Sequence, residues 1–222
     1  MLQAKNRIVK SIIRKSLKEI KTVNDDTTDL EINWINTYKN SKRTKLNSKI
    51  HSIVASLPKC SFVLEHGCSI GNVSHVASTC HDNVFGIDKS FFALVEAKKQ
   101  KLSNCDFFVA DSLTEPFAQK FDLVMGLNVL ELIEPLEFLK IINTQASKFV
   151  ILSDPYDYER GKHSVKIKLD GNSLRHKFIQ MDFAIIKGTK RPDYIPWKLN
   201  VNPRLELNYK VDLIVARKKS IL

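Results

Sequence analysis

The sequence predicts an α/β fold: a seven-stranded, mostly parallel sheet with an antiparallel last strand, preceded by an N-terminal helical extension. Three observations carry that expectation. From Ser61 onward, short β-rich runs alternate with helical stretches, the pattern of a parallel sheet covered on both faces. Two of these runs lead into an acid, at Asp88 and Asp111, where the chain leaves the sheet. The last two strands follow one another with no helix between them, as an antiparallel return requires. At 222 residues and 43% hydrophobic, the chain suits one such domain with a sizeable core.

The elements follow in chain order. The first 58 residues read as helical. Val9, Ile12, Ile13, Leu17 and Ile20 recur near helical spacing, Asn24 to Thr28 is a polar break, and a second helical stretch runs from about Leu30 to Leu57. That stretch shows an interruption near Asn40 to Arg43, and Pro58 closes it. Residues 1–58 are therefore expected to form a helical cap, and residues 59–222 the α/β domain. Strands are expected at 62–64, 84–87, 107–110, 121–125, 149–152, 183–187 and 209–216. Helices are expected at about 72–78, 90–101, 135–145 and 172–180. Between the last two strands lies a segment from Arg191 to Asn200, leading to Asn202-Pro203-Arg204 and stiffened by Pro192, Pro196 and Pro203. It reads either as a substrate flap or as a long hairpin connection packed on the domain.

Composition excludes several classes. No run approaches the 18 or so apolar residues of a membrane span. Lysines and arginines interrupt Ile8, Ile12, Ile13, Leu17 and Ile20, so the N-terminus does not read as a secretory leader. Cys60, Cys68, Cys80 and Cys105 form no CxxC pair, which fits free thiols in a reducing compartment and a cytoplasmic protein. Cys60, His66, Cys68, His75, Cys80 and His81 cluster in sequence but lack zinc-ligand spacing, so no metal is expected. The net charge of +11 is uneven: residues 1–50 carry +7, residues 186–222 carry +6 and the middle −2. Basic ends around a neutral body read as a solvated surface or as a draw for an anionic partner such as RNA. No RNA-binding motif is present, and nucleic acid is not the favoured partner.

The segment with most chemical content is Val63-Leu64-Glu65-His66-Gly67-Cys68-Ser69-Ile70-Gly71-Asn72, a strand, a glycine turn and a helix start. Gly67 and Gly71 permit a tight turn and close approach of a ligand to backbone N–H groups. Asp88 follows Gly71 by 17 residues, near the offset of a carboxylate that accepts from ribose hydroxyls. Asp111-Ser112 ends the next strand, where an adenine amino group would find an acceptor. Each aspartate reads equally as a helix N-cap. A fourth strand ends at Gly126-Leu127-Asn128. A parallel sheet gathers all these ends at its carboxyl edge, where open α/β folds bind ligands.

In these motifs the chain resembles the class I, Rossmann-like S-adenosylmethionine-dependent methyltransferases, over about residues 61–153. Their signature is an acid followed by Gly-x-Gly-x-Gly; here it stands as Glu65-His66-Gly67-Cys68-Ser69-Ile70-Gly71, with Ser69 in place of the middle glycine. The resemblance implies S-adenosylmethionine as cofactor. Glu65 would hold the methionine ammonium, while Gly67, Ser69 and Gly71 would line the cofactor. Asp88 would take the ribose, Asp111 and Ser112 the adenine, and Asn128 would stand near the methyl donor. A weaker similarity, through Gly-Cys-Ser-x-Gly, Asn128-Val129-Leu130-Glu131 and Asp154-Pro155-Tyr156, is to imidazole N-methyltransferases acting on histidine or mercaptohistidine. It implies Glu131 as the group that orients an imidazole or takes its proton, with Asn128 and Tyr156 beside the reacting atoms. Glu131 otherwise reads as a solvated helix residue, and Tyr156 as a packed aromatic in a proline turn. The acceptor, small molecule or peptide, stays unidentified. The rival class is a noncatalytic, cofactor-binding or RNA-binding partner subunit.

Overall fold

The computed structural model describes residues 32, 35–39, 45–114, 117–130, 132–155, 169–202 and 205–219. Five helices and eight strands lie within them. Strands β1 (Phe62–His66), β2 (Asn83–Asp88), β3 (Cys105–Val109), β4 (Phe121–Leu127) and β5 (Ala146–Pro155) pair in parallel in the order β3-β2-β1-β4-β5. Strand β8 (Leu205–Lys218) adds to β5 in antiparallel sense, and β6 (Phe183–Ile185) closes the path beyond β8. The mostly parallel sheet with an antiparallel last strand is as expected.

The sheet has eight strands where seven were expected. The extra one, β7 (Ile195–Asn202), pairs with the first half of β8. Its Pro196 fits an edge position, since among the described residues β7 pairs with β8 alone. Ile195 and Trp197 turn inward at 7% and 3% exposure, with Pro196 and Lys198 turned outward. The proline-stiffened segment is thus the hairpin packed on the domain.

Strand alternation sends Val63, Leu123, Met125 and Leu213 to one face and Leu64, Val124 and Ile214 to the other. The first face is covered by α1 (Lys45–Ser56), α2 (Asn72–Cys80) and α3 (Phe91–Ala97), the last running into a short 3₁₀ turn, Lys98–Gln100. The stripe Leu46, Ile50 and Val54 seals α1 against α2 and β7. The second face is covered by α4 (Pro135–Gln145), started by a proline, and α5 (Gly171–Gln180), whose N-cap Asp170 accepts from Ser173 N at 2.7 Å.

One buried ion pair ties the far half together. Arg175 of α5 donates through Nη1 and Nη2 to the two carboxylate oxygens of Asp212 on β8. Its remaining N–H groups reach the carbonyls of Thr189, Gly171 and Arg191, and Asp193 N donates to Asp212 Oδ1. Helix α5, the loop before β7 and strand β8 are locked at one point.

Candidate active site

Parallel pairing brings the ends of β1, β2, β3 and β4 to one edge, and the strand order reverses direction between β1 and β4. Such a reversal opens a crevice at the carboxyl ends of the strands. The turn after β1 lines it. Cys68 N donates to Ile87 O at 3.0 Å and Gly71 N to Cys68 O at 2.9 Å, with positive φ at Gly67 (64°), Ser69 (48°) and Gly71 (74°). A Cβ on Gly67 would stand 2.4 Å from Val129 Cγ1, so the left-handed backbone and the close approach both demand glycine there. Ser69 takes its left-handed conformation with help: its N–H donates to Asp88 Oδ2 at 2.8 Å.

Asp88 also accepts from Ser90 N at 2.8 Å, and the N-cap of α3 is Ser90, which accepts from Ala93 N. Asp88 therefore clamps the turn to the start of α3 and is not itself the cap. Asp111 accepts from Leu113 N at 2.9 Å and meets Lys89 Nζ at 2.7 Å, contacts that hold its carboxyl below the usual range. It heads a turn, not a helix, and Ser112 beside it is buried. Asn128 stands at φ 56°, its N–H donating to Ser153 O at 2.7 Å and its side-chain oxygen accepting from Ser153 Oγ at 3.1 Å.

Glu65 has the most unusual setting. It is 3% exposed and accepts from the Ser74 hydroxyl on α2. Burial pushes its carboxyl up to about 7; the Ser74 hydrogen bond works against that rise and the charge of Asp88 adds to it.

The structure thus brings together Glu65, Gly67, Ser69, Gly71, Asp88, Asp111, Ser112 and Asn128. Glu131 and Tyr156 lie outside the described residues. Asp154 is buried at the end of β5, opposite Asp212 in the β5–β8 register. Sequence reasoning missed Ser74, Ser153 and Lys89, the partners of Glu65, Asn128 and Asp111. No spacing rule marks them, because each meets its partner only through the tertiary fold.

Residues 35–39 form a helical turn against this edge. Ile35 packs on Ile70 and Ala93, with Tyr38 and Phe92 alongside, and Lys39 pairs with Glu96 at 3.0 Å. Two cavities flank His75, one of about 310 Å³ between α1 and α2 and one of about 270 Å³ between the end of α3 and β3, and neither is lined by Glu65, Asp88, Asp111 or Asn128. The histidines have structural partners: His66 with Gln145, His75 with Ala97 O, and His81, which accepts from Cys60 N. Among the described residues no three metal-binding side chains group together, and the four cysteines are free thiols. No helix among those residues is long and apolar enough to cross a membrane.

A Rossmann-like sheet with a glycine turn and acids at successive strand ends is suited to holding a nucleotide-type ligand at its carboxyl edge. Residues 63–147 match the family model of a methyltransferase domain. That segment runs from β1 to the start of β5 and contains the glycine turn, Asp88, Asp111 and Asn128. No curated protein matches the chain in sequence. The fold is similar to that of TehB from Haemophilus influenzae (TM-score 0.62, 13% identity), covering 78% of this chain and 62% of that protein. It is similar to magnesium protoporphyrin IX methyltransferase from Synechocystis PCC 6803 with bound S-adenosylhomocysteine (TM-score 0.62, 18% identity), covering 91% and 99%. It is also similar to the N-methyltransferase NodS from Bradyrhizobium japonicum, likewise a complex with S-adenosylhomocysteine (TM-score 0.61, 13% identity), covering 82% and 91%.

The residues present fit S-adenosylmethionine. Glu65 is a buried carboxylate with no cation paired to it among the described residues, Asp88 and Asp111 stand at the next two strand ends, and the turn between β1 and α2 has its backbone held open by positive φ.

Proposed function

We propose that this chain transfers the methyl group of S-adenosylmethionine to a nucleophilic nitrogen or oxygen of a small-molecule or peptide acceptor, in the specific reading an imidazole. The observation that carries the cofactor half is the Glu65–Asp88 carboxylate pair beside the Gly67–Gly71 turn. In this reading Glu65 meets the methionine ammonium, Asp88 the ribose hydroxyls, and Asp111 with Ser112 the adenine. Gly67, Ser69 and Gly71 line the cofactor, and Asn128 stands near the methyl donor.

The cofactor supplies an electrophilic methyl on a sulfonium. What remains for the protein is alignment of the nucleophile with that carbon and exclusion of water. Asn128 is suited to alignment, because Ser153 fixes both its backbone and its amide. Glu131, three residues on, is the proposed group that orients the acceptor and takes its proton, with Tyr156 bordering the acceptor. A labelled-methyl screen that includes histidine, mercaptohistidine and His-containing peptides identifies the acceptor. On that acceptor Glu131→Gln should leave cofactor affinity unchanged and lower turnover by about 10²–10⁴-fold, less at high pH. Equal turnover in variant and parent removes Glu131 and the imidazole reading, and leaves the cofactor assignment standing.

Residues 1–58 are proposed to cap this site in a cytoplasmic enzyme. The support is Ile35, buried on Ile70 in the glycine turn. Truncation is a poor test, because α1 supplies Leu46, Ile50 and Val54 to the core. Ile35→Asp puts an unpaired charge there and should weaken S-adenosylmethionine binding by about tenfold, roughly the cost of an uncompensated buried polar group. Unchanged calorimetric affinity would remove the cap.

A further inference from the structure

We infer that Glu65 and Ser74 form a buried acid that gives up one proton when the amino-acid end of the cofactor enters, so that this end of the site selects ligands carrying an ammonium group. The inference rests on the cofactor reading above and deepens it.

The argument starts from position. Glu65 is the next-to-last residue of β1, with Gly86 of β2 and Met125 of β4 as its register neighbours, and neither brings charge. The polar and titratable groups that act on it are the Ser74 hydroxyl and backbone N–H from α2, the Asp88 carboxylate from β2, and the Cys68 and Cys105 thiols from the turn and β3. All are neutral or negative. Among the described residues no lysine or arginine pairs with Glu65.

A carboxylate in that setting is costly. The hydroxyl and N–H of Ser74 do not replace lost water beside a neighbouring like charge, so the proton stays on to about pH 7. An arriving ammonium supplies the missing positive charge. The O–H bond of the Glu65 carboxyl then breaks, both electrons stay on the carboxylate, and the proton passes to solvent buffer. Nothing is oxidised or reduced. Ser74 is the positioning residue: its hydroxyl donates to the ionised form and makes release possible near neutrality.

Calorimetry on the full chain tests this, with S-adenosylhomocysteine as ligand in buffers of different ionisation enthalpy. Close to one proton should leave per ligand bound at about pH 6, falling toward zero above about pH 8. 5′-Methylthioadenosine, which lacks the amino-acid end, should release none. Glu65→Gln should abolish release and weaken S-adenosylhomocysteine by about tenfold or more. Ser74→Ala should carry release to higher pH; a merely structural serine would lower affinity without moving that profile. Proton-neutral binding of S-adenosylhomocysteine by the parent at about pH 6 overturns the inference, as does equal release with 5′-methylthioadenosine. Failure of the parent to bind S-adenosylhomocysteine or S-adenosylmethionine at any pH overturns the cofactor reading instead.

Discussion

Glu65 and Asp212 are both buried carboxylates, at 3% and 1% exposure, in opposite halves of one sheet. Asp212 meets a guanidinium through both oxygens and accepts a backbone N–H as well. Glu65 receives only the uncharged hydroxyl and N–H of Ser74 and is near another acid, Asp88. At Asp212 the charge is matched within the fold, so the ion pair is architecture. At Glu65 no cation of the described residues matches the charge, which stabilises nothing by itself and suits a site awaiting a cation.

The largest effect expected from this contrast comes from Arg175. Arg175→Met strands Asp212 in the core and should cost about 3–5 kcal/mol of stability in urea unfolding. Adding Asp212→Leu removes the stranded charge and should restore most of it. A loss below about 1 kcal/mol in the single variant would mean that the pair is not a structural lock.

A smaller effect sets Glu65 against His66, its neighbour on the other face of β1. Burial pushes His66 down to about 4, from an ordinary value of 6.5. Its contribution is fully present above pH 6.5 and is lost as pH falls toward 4. Glu65, raised from 4.5 to about 7, has the opposite sign: its contribution is present below pH 4.5 and is lost as pH rises through 7. Each shift is worth up to about 3 kcal/mol, so in the parent the two slopes largely cancel between pH 4.5 and 6.5. Glu65→Gln should uncover the histidine slope, with stability falling on acidification by up to about 3 kcal/mol. Denaturant midpoints measured across that range decide it; a flat profile in the variant would show that His66 does not titrate as its burial demands.

The smallest effect belongs to Asp88, whose carboxylate is already shared with Ser69 N and Ser90 N. Asp88→Ala should weaken S-adenosylmethionine by about tenfold or more, the loss of a charged hydrogen bond worth about 1.5–3 kcal/mol. Calorimetry on the folded variant checks this, and unchanged affinity takes Asp88 out of the site.

Much of the site half was legible before the fold. Gly67, Gly71, Asp88 and Asp111 were visible because strand ends and turns carry local signals: alternation stops, glycine permits the turn, and an acid follows. Helix α4 was read at its full extent because Pro135 marks its start. Strand β7 was harder. Three prolines and exposed-type aromatics in that region masked the alternation of Ile195 and Trp197, and only pairing with β8 and packing on α1 make it a strand.

By itself the sequence determined the alternating α/β order, the positions of the turns and the acids that end the strands, because these depend on neighbours within a few residues. Only the tertiary structure decided which charges meet. Ser74 reaches Glu65 across nine residues, Ser153 reaches Asn128 across 25 and Arg175 reaches Asp212 across 37. Side-chain contacts over such separations are set by strand order and helix packing. The same acid can therefore become a structural lock or a cofactor ligand, depending on whether the fold brings a cation to it.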